Sequence, residues 1–306
     1  MQHSLEVRKA PEYCPFSVFS LFDKDFSKLL PPAEPGSYPI RVTRDGKEPE
    51  IKSLINRLKT NKAGEKTPYL TIYTQNIWFS PINQGERFEE IVRFIEQVQP
   101  DFVCLQECIK EFSERLRKSD VIRQMYFISE NSGNWYTVQI LSKWPCRVTK
   151  IPYHPDTVIV RSLLIASTVI NRVPITITTS HLESSDGYQG YSMRCKQMEI
   201  AFSALKDHRN VMMMGDFNYD AVKGKEEASR DKSFVDLFDF GPESTLKFTF
   251  IPREDRLDRM LLRGEDWEPT SGYSLVGSEP IAKFEGMFIF EGAQVRSFGH
   301  HFCNQI

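Results

Sequence analysis

Residues 211–218 read Val-Met-Met-Met-Gly-Asp-Phe-Asn, and this stretch is the most specific signal in the sequence. Four consecutive apolar residues predict a short buried strand, and Gly215 permits a sharp exit from it. Asp216 and Asn218 then fall two residues apart, just past the strand. Since Gly, Asp and Asn are also ordinary turn formers, the stretch by itself favours a simple turn. Its meaning depends on how other strands of the chain end.

Other predicted strands also end on carboxylate, amide or imidazole side chains. They do so in residues 73–76 with Asn76, 105–107 with Glu107, 179–184 with His181, and 256–259 with Asp258, followed by His300 and His301 near the C-terminus. When strands lie side by side in a sheet, side chains at their ends converge on one surface. We therefore expect these residues to form one site.

The carboxylates of this set suit a metal-assisted reaction. A lone Glu107 after the apolar 103–105 run would favour a salt bridge, because an unpaired buried carboxylate is costly. In this company it is predicted to bind a hard cation, since Mg²⁺ takes one or two carboxylates and fills its shell with water and phosphate. Asp216 is the candidate base that activates water. Asn218 would orient the water or a phosphate oxygen.

The imidazoles supply hydrogen bonds to developing charge. A lone histidine at a strand end is more often structural, but here His181 is placed to donate to a pentacoordinate phosphorus species. Asp258 would hold the imidazole of His301 or His300 in one tautomer, or else pair with a neighbouring arginine. Together the set predicts metal-assisted phosphodiester hydrolysis.

From residue 68 onward strands and helices alternate, which predicts an α/β fold of two packed mixed β-sheets with helices outside, a four-layer sandwich. Strands are expected at 69–73, 102–105, 121–127, 136–141, 163–170, 175–179 and 211–214, and helices at 87–99 and 192–205. Residues 1–67 carry no recognisable chemistry and are predicted to be an extension of unknown role. The catalytic domain is predicted to span 68–306.

Bulk properties narrow the class of protein. The 39 basic and 41 acidic residues nearly cancel, so a nucleic-acid partner would have to be held locally. Six cysteines without zinc or disulfide spacing, and no signal peptide, predict an intracellular protein of the nucleus or cytoplasm. No apolar run approaches the roughly 20 residues of a membrane span, so no membrane partner is expected, and a monomer is predicted.

The motifs together resemble the endonuclease/exonuclease/phosphatase superfamily, which has the DNase I-like fold. Its pattern is an Asn after the first strand, x-Q-E, S-H-L, G-D-x-N, R-x-D and a final D-H, and the resemblance runs from about residue 69 to 302. It implies Mg²⁺-dependent hydrolysis, with Asn76 and Glu107 at the metal. Asp216 and Asn218 would serve water and phosphate, while His181 and His301, the latter oriented by Asp258, would stabilise the transition state.

A longer match points to members that repair DNA by cleaving 5′-tyrosyl ends of single strands. It rests on residues 180–184 (Ser-His-Leu-Glu-Ser), 194–198 and 248–250 (Phe-Thr-Phe). The resemblance implies substrate contacts from Arg161, Arg194, Trp78, Tyr136 and Phe250. Exposed aromatic rings would stack on bases or on the tyrosyl ring, whereas the alternative for each ring singly is the core.

Three departures from the family pattern bear on metal and substrate. If His301 is the catalytic imidazole, His300 replaces the family's aspartate, and imidazole suits Mn²⁺ better than Mg²⁺. Trp78 stands in place of a second acidic residue near the first strand, and the arginine that usually follows G-D-x-N is missing. Two alternatives therefore remain open: a phosphatase or esterase for a small phosphorylated molecule or lipid, and a catalytically silent binding relative.

Overall fold

The computed structural model describes residues 2–7, 38–39, 42–43, 59–60, 66–67, 69–131, 136–153, 161–170, 173–240, 249, 254–274, 280–284 and 287–290. Phe250, His300 and His301 of the predicted site lie outside these ranges. In the described part, no helix combines the length and the apolar character that crossing a membrane requires.

The described elements alternate along the chain. The strands are β1 (Gln2–Val7), β2 (Tyr38–Pro39), β3 (Val42–Thr43), β4 (Lys59–Thr60), β5 (Lys66–Thr67), β6 (Tyr69–Asn76), β7 (Phe102–Cys108), β8 (Phe127–Ser129), β9 (Thr137–Ser142), β10 (Arg147–Pro152), β11 (Ser162–Ile170), β12 (Val173–His181), β13 (Val211–Asp216), β14 (Val235–Asp236), β15 (Asp258–Arg263), β16 (Trp267–Ser274), β17 (Pro280–Phe284) and β18 (Met287–Phe290). The helices are α1 (Gln84–Val98), α2 (Lys110–Lys118), α3 (Asp120–Met125) and α4 (Gly187–Leu205), with 3₁₀ turns at Lys225–Ser229 and Leu237–Phe240.

Two mixed sheets form the centre of the molecule. Among the described strands, the first sheet has the order β16-β1-β6-β7-β9-β8-β3 and the second β14-β15-β13-β12-β11-β10-β2. In the first sheet β6 and β7 run parallel, and in the second β12 and β13 do. The remaining pairs in both sheets are antiparallel. Within each sheet, the parallel pair brings the C-terminal ends of its two strands to the same edge.

Three apolar clusters show how the layers pack. Side chains such as Ile72 and Phe102 of the first sheet meet Ile177 and Met212 of the second between the sheets. Helices α1 to α3 cover the outer face of the first sheet, and α4 covers that of the second. Helix–sheet–sheet–helix is the predicted four-layer sandwich, which is confirmed.

One local prediction was wrong. Residues 121–127 were expected to be a strand because of their β-branched and aromatic content, yet residues 120–125 form α3. Ser119 caps this helix, its Oγ accepting from the backbone N of Ile122 at 3.1 Å. Ile122 is fully buried against α1 and α2. A cap and one buried face outweigh strand propensity, which is the weaker of the two signals.

Parts of the first 67 residues extend both sheets. Strand β1 pairs with β6 and β16, β2 pairs with β10, and β3 pairs with β8. The division of the chain at residue 67 stays a prediction.

Candidate active site

The predicted strand ends do meet. In the second sheet, His181, Asp216 and Asp258 are register partners on β12, β13 and β15. In the first sheet, Asn76 ends β6 opposite Gln106, and Glu107 follows on β7. The side chains of these five residues are buried, between 0% and 3% exposed. Both sheets thus contribute to a single enclosed polar cluster.

The amide of Asn76 joins the two halves. Its Nδ2 donates to Glu107 Oε1 at 2.8 Å and to Asp216 Oδ2 at 3.0 Å. The orientation of this amide is fixed, since Asn76 Oδ1 accepts from the backbone N of Trp78 at 2.9 Å. Two carboxylates from different sheets are therefore held close together by one side chain.

Three backbone positions at the site adopt left-handed conformations. Trp78 has φ 56°, Glu107 has φ 58° and Asn218 has φ 53°. Such conformations are unfavourable for residues other than glycine and persist where surrounding contacts over-determine them. For Glu107 the cause is visible: the pairing of β7 with β9 is irregular between Leu105 and Cys108. A bulge of this kind redirects a side chain, and here it accompanies the turn of Glu107 toward Asn76.

His181 faces both carboxylates. Its Nε2 lies 3.9 Å from Glu107 Oε1 and 3.8 Å from Asp216 Oδ2. Its Nδ1 lies 2.6 Å from Nη1 of Arg161. A guanidinium nitrogen can only donate, so Nδ1 must accept, and the proton of the neutral ring is on Nε2. His181 therefore presents an N–H to the centre of the site.

Charge and donor type fit a hard divalent cation. Burial raises the pKa of Glu107 above its ordinary value; hydrogen bonds from Asn76 and Phe79 oppose this, and the nearby Asp216 adds to it. Within the described ranges, no three His, Cys, Asp or Glu side chains form a ready-made metal cluster. Mg²⁺ needs only one or two carboxylates, because water and phosphate complete its shell. The carboxylate of Glu107, with that of Asp216 close to it, meets that requirement.

Asn218 and Asp258 complete the cluster on the side of the second sheet. Asn218 is half-buried; its backbone N donates to Asp216 Oδ1 and its Nδ2 to the carbonyl of Leu182, both at 2.9 Å. The backbone N of Asp258 donates to Thr249 Oγ1 at 3.1 Å. The partner expected for the Asp258 carboxylate, His301, lies outside the described residues. That role of Asp258 stays a prediction.

An aromatic ring and a guanidinium border the cluster. The half-buried ring of Tyr136 stacks on Phe79, with centroids 4.7 Å apart and planes 14° apart. The guanidinium carbon of Arg161 lies 5.3 Å from the Tyr136 centroid, and the ring of His181 lies 6.0 Å from it. Arg161 also donates to Ser184 Oγ at 3.3 Å. Two of the predicted substrate contacts, Tyr136 and Arg161, thus adjoin His181.

The other two described substrate candidates have different surroundings. The indole of Trp78 is 3% exposed and packs 4.6 Å from the guanidinium of Arg87. Arg194, on α4, pairs with Glu226 at 2.6 Å and donates to the carbonyls of Glu183 and Ser185. These contacts hold the loops beside the site. A direct contact of either residue with substrate stays a prediction.

Sequence reasoning missed Arg87, although a signal was present. The side chain is 1% exposed and donates to the carbonyls of Ile77, Trp78, Ser80 and Ile82. It thereby shapes the loop that follows Asn76. A cation at helical spacing with the apolar Ile91 and Ile95 was the available clue. This spacing places the Arg87 guanidinium on the buried face of α1, where it holds the loop by hydrogen bonds to its carbonyls.

The fold, the motifs and this geometry agree with one family. Residues 73–284 match the Endonuclease/Exonuclease/phosphatase family, and the chain belongs to it. Similar curated proteins are Tyrosyl-DNA phosphodiesterase 2 of Xenopus tropicalis, 29% identical over 65% of this chain and 58% of that protein, and of Xenopus laevis, 26% identical over 76% and 64%. The chain thus spans about three fifths of the length of these relatives.

Solved structures show the same fold. A humanized D. rerio TDP2 carrying 14 mutations superposes with a TM-score of 0.59 at 23% identity, over 74% of this chain and 95% of that one. D. rerio TDP2 complexed with a single-strand DNA product gives 0.55 at 21% identity, also over 74% and 95%. At this identity the likeness establishes the fold alone.

Proposed function

We propose that this protein is a metal-dependent phosphodiesterase that cleaves a phosphodiester at a single-stranded nucleic-acid end, in particular 5′-tyrosyl DNA. The observation that carries the proposal is the Asn76 amide bonded to both Glu107 and Asp216, with the Nε2–H of His181 facing the same two carboxylates. The proposed setting is DNA repair in the nucleus or cytoplasm, with the protein acting as a monomer.

The residues divide the work of an in-line displacement. Asp216 accepts the proton of the attacking water, and Asn218, fixed by Leu182, orients that water or a phosphate oxygen. His181 donates from Nε2 to an oxygen of the phosphorus centre as negative charge develops there. Asp258 orients the imidazole of His301. Glu107 and Asn76 would hold a divalent cation, Mg²⁺ or Mn²⁺, which supplies charge neutralisation at the phosphate when bound.

The border of the site suits a tyrosyl leaving group. The ring of Tyr136 and the guanidinium of Arg161 offer an aromatic face and a cation beside His181. A phenolic ring gains from both kinds of contact. Relatives named Tyrosyl-DNA phosphodiesterase 2, and the D. rerio TDP2 complex with single-strand DNA product, support this choice of substrate.

The test is hydrolysis of a 5′-tyrosyl single-stranded oligonucleotide with Mg²⁺ or Mn²⁺. We expect wild type to release a 5′-phosphate end, and Glu107→Gln and Asp216→Asn to lose on the order of 10²-fold or more in kcat. Glu111→Gln, which changes an exposed glutamate on α2, is the matched control and should behave as wild type. Full activity of Asp216→Asn would exclude the assigned mechanism.

A metal readout accompanies the activity assay. A cation that binds the folded state raises the unfolding temperature by mass action, so Mg²⁺ or Mn²⁺ should stabilise wild type and Glu111→Gln but not Glu107→Gln. Faster turnover of a small phosphomonoester or of a lipid phosphate than of the oligonucleotide would favour the phosphatase or esterase alternative. Metal-dependent stabilisation without turnover of any of these would favour a silent binding relative.

A further inference from the structure

A buried arginine lies directly behind the turn that carries Asp216 and Asn218. Arg259 follows Asp258 on β15 and is 1% exposed. Its Nε donates to Asp236 Oδ2 at 2.8 Å, and its Nη1 donates to Tyr219 Oη and to Glu227 Oε2, both at 3.0 Å. Burial by itself lowers an arginine pKa, but Asp236, Tyr219 and Glu227 together outweigh it and raise the pKa of Arg259 above its ordinary value. The guanidinium therefore stays charged and fully engaged.

The same guanidinium contacts both neighbours of Asn218. Its central carbon lies 5.9 Å from the ring centroid of Phe217 and 5.5 Å from that of Tyr219. Both rings are at most 4% exposed. Asn218 between them holds a φ of 53°, in the left-handed region, which asparagine adopts more readily than most residues.

The turn is also held by the packing of the Phe217 and Tyr219 rings in the apolar cluster under α4 and by further hydrogen bonds. The backbone N of Phe217 donates to the carbonyl of Leu257 at 2.8 Å, and Asn218 bonds to Asp216 and Leu182. The Tyr219 hydroxyl, bonded to Arg259 and donating to Glu227 at 3.2 Å, closes the turn on its far side. This hydroxyl is the polar atom through which the Tyr219 side chain bonds directly to Arg259.

We propose that Arg259 is a positioning residue that, through the hydroxyl of Tyr219, fixes the turn of residues 216–219 in the geometry that hydrolysis requires. The inference rests on the proposed phosphodiesterase function for its kinetic consequence. Its structural consequence, a single orientation of the Asn218 side chain, can be measured whether or not the substrate is correct.

The chain offers a matched control on the same strand. Arg263 lies four residues along β15, on the same face as Arg259. It packs 4.6 Å from the ring of Phe234 and donates to the carbonyls of His208, at 2.8 Å, and Leu205. It anchors structure as Arg259 does, but it does so away from the 216–219 turn. Arg263→Lys therefore weakens the contacts of a half-buried arginine on β15 without affecting those that position the 216–219 turn.

The experiment compares Arg259→Lys, Tyr219→Phe and Arg263→Lys in the full chain, by Asn218 side-chain amide NMR and by kcat and KM on the 5′-tyrosyl oligonucleotide. We expect the first two to shift or broaden the Asn218 amide signals and to lower kcat by about 10- to 100-fold, as small misplacements do, with KM nearly unchanged. Arg263→Lys should keep both the amide signals and kcat of wild type.

Each result has a definite reading. Tyr219→Phe keeps the ring and its packing, so it decides the question even if Arg259→Lys does not fold. Asn218 signals that match wild type in Tyr219→Phe would overturn the proposal. If wild type cleaves no 5′-tyrosyl oligonucleotide, the proposed function fails, and the Asn218 amide signals alone still decide the role of Arg259.

Discussion

At the scale of single residues, the contact between Arg161 and His181 determines which nitrogen of the His181 ring carries the proton. Arg161 Nη1 lies 2.6 Å from His181 Nδ1, and this donor keeps the ring proton on Nε2. We expect Arg161→Met to lower kcat by on the order of 10²-fold, because His181 would lose the partner that keeps its proton on Nε2, and a lost donor to a developing charge costs about that much. Kinetics on the 5′-tyrosyl oligonucleotide measure this loss, and ¹⁵N shifts of the His181 ring report the tautomer.

The control for Arg161 is an arginine outside the site, which pairs with a carboxylate and not with a histidine. Arg123 pairs with Asp120 on the exposed side of α3, and Arg123→Met should retain wild-type kcat. An Arg161→Met protein with the kcat and the His181 ring shifts of wild type would show that Arg161 has no influence on the histidine.

At the scale of elements, the parallel pair β12–β13 brings His181 beside Asp216 through a glycine. Gly215 has φ 140°, and a Cβ added there would lie 2.0 Å from the carbonyl oxygen of Ser180. Gly215→Ala must push the two strands apart, and we expect it to destabilise the fold by more than about 3 kcal/mol through strain and overpacking. Denaturant unfolding measures the free energy of unfolding.

A glycine without such a neighbour should respond in the opposite way. A Cβ at Gly85, on α1, would meet only the tip of Arg115 at 3.7 Å. Gly85→Ala should therefore stabilise the protein by about 0.4–1 kcal/mol, since it reduces the freedom of the unfolded chain. Equal effects of the two substitutions would contradict the close approach of β12 and β13.

At the scale of the whole molecule, the apolar layer between the sheets holds together a site that draws its residues from both sheets. Ile177, on β12, is fully buried in this layer. Ile177→Ala should cost about 2–5 kcal/mol of unfolding free energy, the usual range for a large-to-small change in a core. Ile82→Ala removes the same atoms from a side chain that is 42% exposed, and it should change stability by no more than about 0.5 kcal/mol. A small loss for Ile177→Ala would show that the sheets are loosely packed.

The local sequence pattern could predict the strand ends, because a run of neighbouring apolar residues indicates a buried strand and the first polar residue after it indicates where the strand ends. The apolar runs before Glu107, His181 and Asp216 indicated buried strands, and each strand does end at or near its polar residue. The same reasoning failed at residues 121–127, where the Ser119 cap and the packing of Ile122 favoured α3. The indole of Trp78, a candidate for stacking on substrate, is buried beside Arg87, and its contact with substrate stays a prediction.

The sequence by itself determined the α/β class, the four-layer order and the membership of the polar cluster, since periodicity and short motifs carry that information. Tertiary structure alone decided the contacts that give the cluster its chemistry. Asn76 and Asp216 stand 140 residues apart in the chain and 3.0 Å apart in space, and no local pattern encodes that distance. The partners of Arg161 and Arg259 are likewise set by tertiary structure, because His181 and Tyr219 stand 20 and 40 residues away from them in the chain.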